Sequence, residues 1–279
     1  MKPLLIIPPA PQRWPALQDL YTPHLGAAWL SNMEQRLRHG VAGAEDAYAI
    51  IGAGGNVLAA AHINKLGDVG LMGPVFTRPE HRGRGLARAV VQSVLSWFDM
   101  TGGKWLLAQT TRALDEALFR KIDFRELRCA AWEPFDRITL IRTGPSVTGE
   151  PEADDTLPLA IRPLSRRDWP EMVTFLQYFE GPDPRVPLGE SAVTAELLTL
   201  DMLGHLERGT CELLGAVRGP RLVGLATLAT DQPGKRSYAI LMPHSAPPPE
   251  LREAIVSMAA QKGYEHVDFP MESLPRASL

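Results

Sequence analysis

Between Gly73 and Asp99 the sequence reads GPVFTRPEHRGRGLARAVVQSVLSWFD, the part of the chain richest in residues able to hold a ligand. Val75 to Thr77 has the composition of a short strand, and Pro79 stops it because proline cannot donate to a ladder. The chain then turns through Arg82-Gly83-Arg84-Gly85. Beyond the turn, Ala87, Val91, Val94, Leu95 and Phe98 recur at helical spacing, so a helix from about Arg84 to Met100 lays one face on a sheet. A glycine-rich turn at a helix N-terminus, directly after a strand, suits an anion. The first helical turn carries unpaired N–H donors and the positive end of the macrodipole. Glycines there let a ligand approach the backbone with no Cβ in the way. Arg78, His81, Arg82 and Arg84 surround the same turn, and a pyrophosphate is a natural occupant. The spacing matches neither GxGxxG nor the Walker-type GxxxxGK, so it indicates neither of those nucleotide sites. An isolated RGxG is also the composition of a solvated surface turn.

The elements that position this turn can be placed coarsely. A strand near Leu4 to Pro8 precedes helical stretches around Trp14 to Tyr21 and Leu25 to His39. YAIIGAGGNVLAAAHI, Tyr48 to Ile63, has two apolar runs about a glycine turn and reads as a hairpin. A strand near Gly70 to Thr77 and the helix at 84–100 follow. A strand at Trp105 to Gln109, a short helix around Leu114 to Lys121, and strands near Leu127 to Trp132 and Arg137 to Arg142 complete the half. This order predicts an α/β (α+β) fold with a mixed, largely antiparallel sheet flanked by helices.

At 279 residues the chain is long for one such domain,. The segment RTGPSVTGEPEADDTLP lacks periodicity and reads as a linker. The expected division is a domain over 1–143, a linker over 144–158, and a second domain over 159–279. Patterns echo across the linker. Trp14-Pro15 and Trp169-Pro170 each place proline just inside a helix start. ELLGAVRGPRLVGLATL, Glu212 to Leu228, repeats the hairpin pattern, which points to an internal duplication. Hairpins with glycine turns are also common to unrelated α/β domains.

Composition narrows the function. Hydrophobic residues make up 45% and charged residues 22%, ordinary for a globular protein,. A net charge of -3 gives no support to a nucleic-acid partner,. The apolar run Leu4 to Ile7 is too short to span a membrane and meets Pro8 and Pro9, so neither a membrane segment nor a secretory leader is expected. Cys129 and Cys211 are single and distant, which suggests reduced thiols in a cytoplasmic protein and no metal site.

The segment at 82–87 resembles the GNAT superfamily of acyl-CoA-dependent N-acyltransferases. The superfamily signature is (Q/R)xxGx(G/A) between a strand and a helix, and Arg82-Gly83-Arg84-Gly85-Leu86-Ala87 satisfies each specified position. Val-Phe-Thr-Arg-Pro at 75–79 is similar to the family's VxVxP lead-in, with Thr77 for the second Val. RALDEALFRKIDF, Arg112 to Phe124, is similar to the family's NxxAxxLYxKxGF through Leu118, Lys121 and Phe124. The resemblance implies that Val75, Phe76 and Thr77 line the pantetheine arm and that Arg82, Gly83, Arg84, Gly85, Leu86 and Ala87 hold the phosphates of acetyl-CoA as co-substrate. It also implies acetyl transfer to an amine, on a small molecule or a peptide, by direct attack. A homodimer is one assembly open to such a chain.

The departures from the family pattern fall where catalysis is done. The family's tyrosine, often the acid that protonates the departing thiolate, is Phe119, which has no proton to give. Arg112, Asp115 and Asp123 stand at the family's Asn, Ala and Gly positions. GLMGPVFT offers no carboxylate as a base. His62, Asp68, Glu133 and Asp136 are the nearest titratable groups, each with an ordinary structural role open to it, so the catalytic residues stay unassigned. The second half carries PHSAPPPE (Pro243 to Glu250) where a phosphate turn would stand, and prolines there remove N–H donors. It is therefore expected to be a truncated GNAT-like domain with no coenzyme site, ending before the fold's last helix and strands. A coenzyme-binding sensor without activity is the alternative to an enzyme.

Overall fold

The computed structural model describes residues 1–111, 113–114, 118–127, 137–145, 147, 149, 151–179, 195–230, 236–243 and 246–269. The chain forms two compact units, Met1–Glu150 and Pro151–Leu279. The division falls inside the glycine- and proline-rich segment 144–158, whose two ends are fastened. Trp105 Nε1 donates to Gly149 O at 3.3 Å in the first unit. In the second, Arg218 donates to the carbonyls of Asp155 and Leu157 at 3.2 and 2.9 Å.

The first unit is built on strands β1 (Leu4–Ile6), β2 (Glu45–Ala53), β3 (Asn56–Leu66), β4 (Val69–Met72), β5 (Phe76–Thr77), β6 (Trp105–Thr111), β7 (Arg125–Glu126) and β8 (Arg137–Thr143). They lie in the order β1-β2-β3-β4-β6-β8-β7, with β5 also paired to β3. Every pairing is antiparallel except β4 with β6. Helices α1 (Trp14–Tyr21), α2 (Ala27–His39) and α3 (Leu86–Met100) flank this sheet.

One face of the sheet is covered by α3. Val90, Val91, Val94 and Phe98 pack on Ala47, Ala49, Ala59, Ala61 and Ile63, where the small alanines of β2 and β3 let the helix come close. Burying each such valine or phenylalanine contributes about 1.5–3 kcal/mol. The far end of α3 is also secured. Arg142 of β8 makes a bidentate pair with Asp99 at 2.7 and 2.8 Å, and Lys65 Nζ donates to Thr101 O at 2.8 Å. Tyr48, Ala60 and His62 alternate with the residues under α3 and so point to the other face, where α1 packs against β3,.

The expected single strand over 70–77 is divided. Its first part, β4, pairs with β3 at Ile63↔Met72, and its second, β5, pairs at Ala60↔Phe76 and Ala59↔Thr77, a register one residue displaced. Gly73-Pro74-Val75 bridges the two. Pro74 has no N–H for the ladder, and Gly73 N donates to His62 O at 2.8 Å,. The first strand ends at Ile6 rather than Pro8. The described part of the expected helix at 114–121 ends in a 3-10 turn, Phe119–Ile122. Most of the strand expected over 127–132 lies outside the described residues.

The second unit contains β9 (Leu159–Pro163), α4 (Trp169–Thr174) running into a π-helical turn at Phe175–Phe179, α5 (Ala195–Glu207), β10 (Cys211–Arg218), β11 (Arg221–Ala229), β12 (Arg236–Met242), α6 (Pro249–Gln261) and β13 (His266–Asp268). The sheet order is β9-β10-β11-β12-β13, antiparallel except for β12 with β13. This succession of strand, two helices, hairpin, strand, helix and parallel strand is also that of β1 through β6, apart from the short β5. Trp14 and Trp169, which open α1 and α4, are both fully buried. The β2–β3 and β10–β11 hairpins each carry a register irregularity just ahead of the turn, at Ile51/Gly52 and Ala216/Val217.

Candidate functional site

The parting of β5 from β4, followed by the turn into α3, opens a cleft of about 480 Å³. Val75, Phe76, Thr77, Arg82, Gly83, Gly85, Leu86 and Ala87 all line it, joined by His81 and Leu114. Arg84, the ninth residue of the expected set, is exposed beside the cleft and does not line it. Leu114 enters from a distant stretch of sequence, with no spacing signal to mark it.

Gly83 and Gly85 adopt φ of 73° and 76°. A side chain at either would point into open space rather than into protein, but the left-handed conformation itself costs other L-residues about 1–2 kcal/mol. Gly85 is the N-cap of α3, and no side chain caps the helix. The amide donors of its first turn are therefore left to solvent or to a ligand. Arg82 is tied back by Nε to Thr77 O at 3.2 Å, which holds the turn against β5. Arg78 contributes to the frame instead of the cleft: its Nε donates to Val57 O at 2.8 Å and its guanidinium pairs with Asp19. The cleft therefore offers the exposed amides at the start of α3 and the Arg82 side chain, beside the apolar side chains of Val75, Phe76, Leu86, Ala87 and Leu114.

The wall at Phe76 is buttressed from the α1 side. Tyr21 meets the Phe76 ring edge-on at 5.5 Å and donates its hydroxyl to Pro74 O at 3.2 Å. His24, just past α1, lies flat on the same ring at 4.7 Å. Burial pushes the Tyr21 phenol well above its ordinary value, so it serves as a fixed hydrogen-bond donor. Neither contact is visible in the sequence, because the partners are more than fifty residues apart and on different elements.

The candidate acid–base groups separate clearly. His62 is fully buried, stacked on Tyr48 at 4.8 Å and pressed against Gly73, where an added Cβ would fall 1.9 Å from its Nε2. Burial, and secondarily Arg36, lowers its pKa to about 3, so the imidazole is neutral and a poor proton acceptor,. Asp68 pairs with Lys104 at 3.2 Å, and its carbonyl accepts from Lys104 N and Trp105 N. It shapes the turn at the end of β4 remote from the cleft. Phe119 is 2% exposed and packs edge-on against Phe124 at 5.1 Å, a core position from which no proton could be delivered. Asp123, at the family's glycine position, takes φ of 66°, a conformation that aspartate tolerates better than most residues. Arg112, Asp115, Glu133 and Asp136 lie outside the described residues. Among the described residues no group of three or more His, Cys, Asp or Glu side chains is placed to hold a metal ion.

The equivalent connection in the second unit differs in chemistry. Pro248 is the N-cap of α6 and Pro249 opens it, so two amides that would face an anion are missing.

Residues 14–124 match the model of the acetyltransferase (GNAT) family. A search of curated proteins found no matching relative. Similar solved structures include the ribosomal-protein-S18-alanine N-acetyltransferase of Escherichia coli, 17% identical, covering 53% of this chain and 97% of that one with a TM-score of 0.42. A GNAT-family acetyltransferase of Staphylococcus aureus Mu50 is 11% identical, with 50% and 98% covered and a TM-score of 0.41. An Escherichia coli GNAT-family N-acetyltransferase in complex with CoA is 18% identical, with 51% and 82% covered and a TM-score of 0.40. By the family match alone, the segment 14–124, less than half of the chain, is a GNAT-family acetyltransferase segment.

Proposed function

We propose that the first unit binds acetyl-CoA in the cleft between β5 and α3 and transfers its acetyl group to an amine. The observation that carries this reading is the uncapped N-terminus of α3 behind Gly83 and Gly85, open to a pyrophosphate, beside a cleft of about 480 Å³. Arg82, Gly83, Gly85, Leu86 and Ala87 hold the phosphates, with Arg84 adding charge from the rim. Val75, Phe76 and Thr77 line the arm. In the transfer the amine nitrogen bonds to the thioester carbonyl carbon, the C–S bond breaks, and coenzyme A leaves as a thiolate. The amine's proton passes to solvent, and the thiolate is protonated from solvent, because Phe119 cannot serve. Positioning of the two reactants then supplies much of the rate. The second unit, with prolines at its corresponding turn, is a GNAT-like copy without a coenzyme site.

Calorimetric titration of acetyl-CoA, CoA and 3′-dephospho-CoA into the protein tests the binding claim. Binding by wild type that Arg82→Ala/Gly85→Glu loses supports it, whereas a wild type silent toward all three overturns it. Thiol release from acetyl-CoA with a panel of amines then separates an enzyme from a coenzyme-binding sensor. Fully buried His62 and Phe119 favour the sensor reading to the extent that they leave no placed acid or base at those positions.

A further inference from the structure

We infer that Tyr21, on α1 and outside the lining of the cleft, is a positioning residue: by holding Pro74 O it aims the Val75 N–H into the cleft, as a donor to a carbonyl oxygen of the acyl-pantetheine arm. This rests on the coenzyme reading above and extends it to a residue of α1.

The peptide between Pro74 and Val75 belongs to the bridge Gly73-Pro74-Val75, which lies in neither β4 nor β5, so no ladder fixes the tilt of its plane. Tyr21 fixes it instead. Its hydroxyl donates to Pro74 O at 3.2 Å, and its fully buried ring is held edge-on against Phe76. Burial keeps the phenol protonated, so the donor is permanent,.

A trans peptide is planar and carries its C=O and N–H on opposite sides. The cis bonds of the chain lie elsewhere, at Pro8-Pro9 and Met242-Pro243. With its C=O turned to Tyr21, the Pro74–Val75 peptide points its N–H away from α1. The two helices cover opposite faces of the sheet, and Leu86 and Ala87 at the start of α3 line the cleft together with Val75. The N–H is therefore turned toward the side on which the cleft opens. Among the described residues it makes no hydrogen bond, although backbone donors in folded proteins are nearly always paired. Val75 is only half-buried. A free N–H there selects an acceptor, and the arm offers carbonyl oxygens in its amides and, in acetyl-CoA, in the thioester.

The test is Tyr21→Phe, which keeps the ring against Phe76 and removes only the hydroxyl. Affinities for acetyl-CoA, CoA and adenosine 3′,5′-bisphosphate are measured calorimetrically, and hydrogen exchange at the Val75 N–H is followed by NMR. One lost hydrogen bond is worth roughly 5–10-fold in affinity. Acetyl-CoA binding should weaken by about that factor, while the bisphosphate, which has no arm, stays within about twofold of wild type. A residue that merely held the fold together would weaken both alike. Saturating acetyl-CoA should slow exchange at the Val75 N–H in wild type, and most of that slowing should be lost in saturated Tyr21→Phe. Equal weakening of CoA and acetyl-CoA places the oxygen in an arm amide; weakening of acetyl-CoA alone places it in the thioester. The inference is overturned by a Tyr21→Phe protein that binds acetyl-CoA as wild type does, or that loses the bisphosphate equally. The exchange measurement on wild type needs no variant, and a Val75 N–H indifferent to saturating acetyl-CoA overturns the inference too. A wild type that binds no acetyl-CoA instead overturns the coenzyme reading on which it rests.

Discussion

Replacing Gly73 with alanine tests how this chain parts β5 from β4. The added Cβ would lie 1.9 Å from His62 Nε2 and 2.0 Å from Cε1, whereas ordinary contact begins near 3.4 Å, so the ring would have to recede by about 1.5 Å. It has little room to do so. The imidazole is fully buried and stacked on Tyr48, itself fully buried. Overpacking of this kind costs about 1–3 kcal/mol, which for a unit of this size lowers the melting temperature by on the order of 5 °C. Because Gly73 N also donates to His62 O, the strain acts on the segment that carries the chain from β4 to β5. Coenzyme affinity should therefore fall along with stability. The assay is chemical denaturation of wild type, Gly73→Ala, His62→Ala and the double variant. Removing the imidazole relieves the clash, so the double variant should be more stable than Gly73→Ala, with a coupling of at least about 1 kcal/mol. Strict additivity, or a Gly73→Ala protein that unfolds together with wild type, would refute the reasoning.

Three further outcomes are expected. With its pKa lowered to about 3 from an ordinary 6.5, folded His62 stays neutral where the unfolded chain would bind a proton. Its contribution is therefore complete above pH 6.5 and is lost as pH falls toward 3, at about 1.4 kcal/mol per pH unit below roughly pH 6. Urea denaturation at pH 7 and pH 5 should show His62→Phe losing less stability than wild type over that interval, and equal losses would count against the assignment. Arg36 and Asp46 form a buried bidentate pair at 3.0 and 3.1 Å, so Arg36→Leu should cost about 3–5 kcal/mol by stranding the carboxylate. Arg36→Leu/Asp46→Leu should recover part of that loss in the same denaturation assay, and no recovery would contradict the pairing. Gly85→Ala, at φ of 76° with nothing within 4 Å of the new methyl, should cost about 1–2 kcal/mol of stability from backbone strain alone. A variant as stable as wild type would mean that the turn is not left-handed there.

Much of this was legible in the sequence because the signals are local. The RGRG turn, the stripe Val91, Val94, Leu95 and Phe98 on α3, and the glycine turns of both hairpins depend on residues a few positions apart, and that is the range over which periodicity and turn chemistry act. What was not legible depends on residues that meet only in the fold. The strand expected over 70–77 looked continuous because its apolar pattern is nearly so. Its division at Gly73 is set by the His62 ring from the neighbouring strand. The buttress on Phe76 comes from Tyr21 and His24, and the pair Arg36–Asp46 joins a helix to a strand. Arg78, which the sequence grouped with the anion-binding cations, is taken up by Val57 O and Asp19.

The central claim is that the amides at the start of α3 receive the coenzyme's pyrophosphate. Its most direct test is an amide ¹H–¹⁵N spectrum of the protein recorded during a titration with CoA. The amides of Gly83, Gly85, Leu86 and Ala87 should show the largest shifts, saturating together with the calorimetric isotherm. Saturating shifts confined to other parts of the chain, with these four unmoved, would contradict the account.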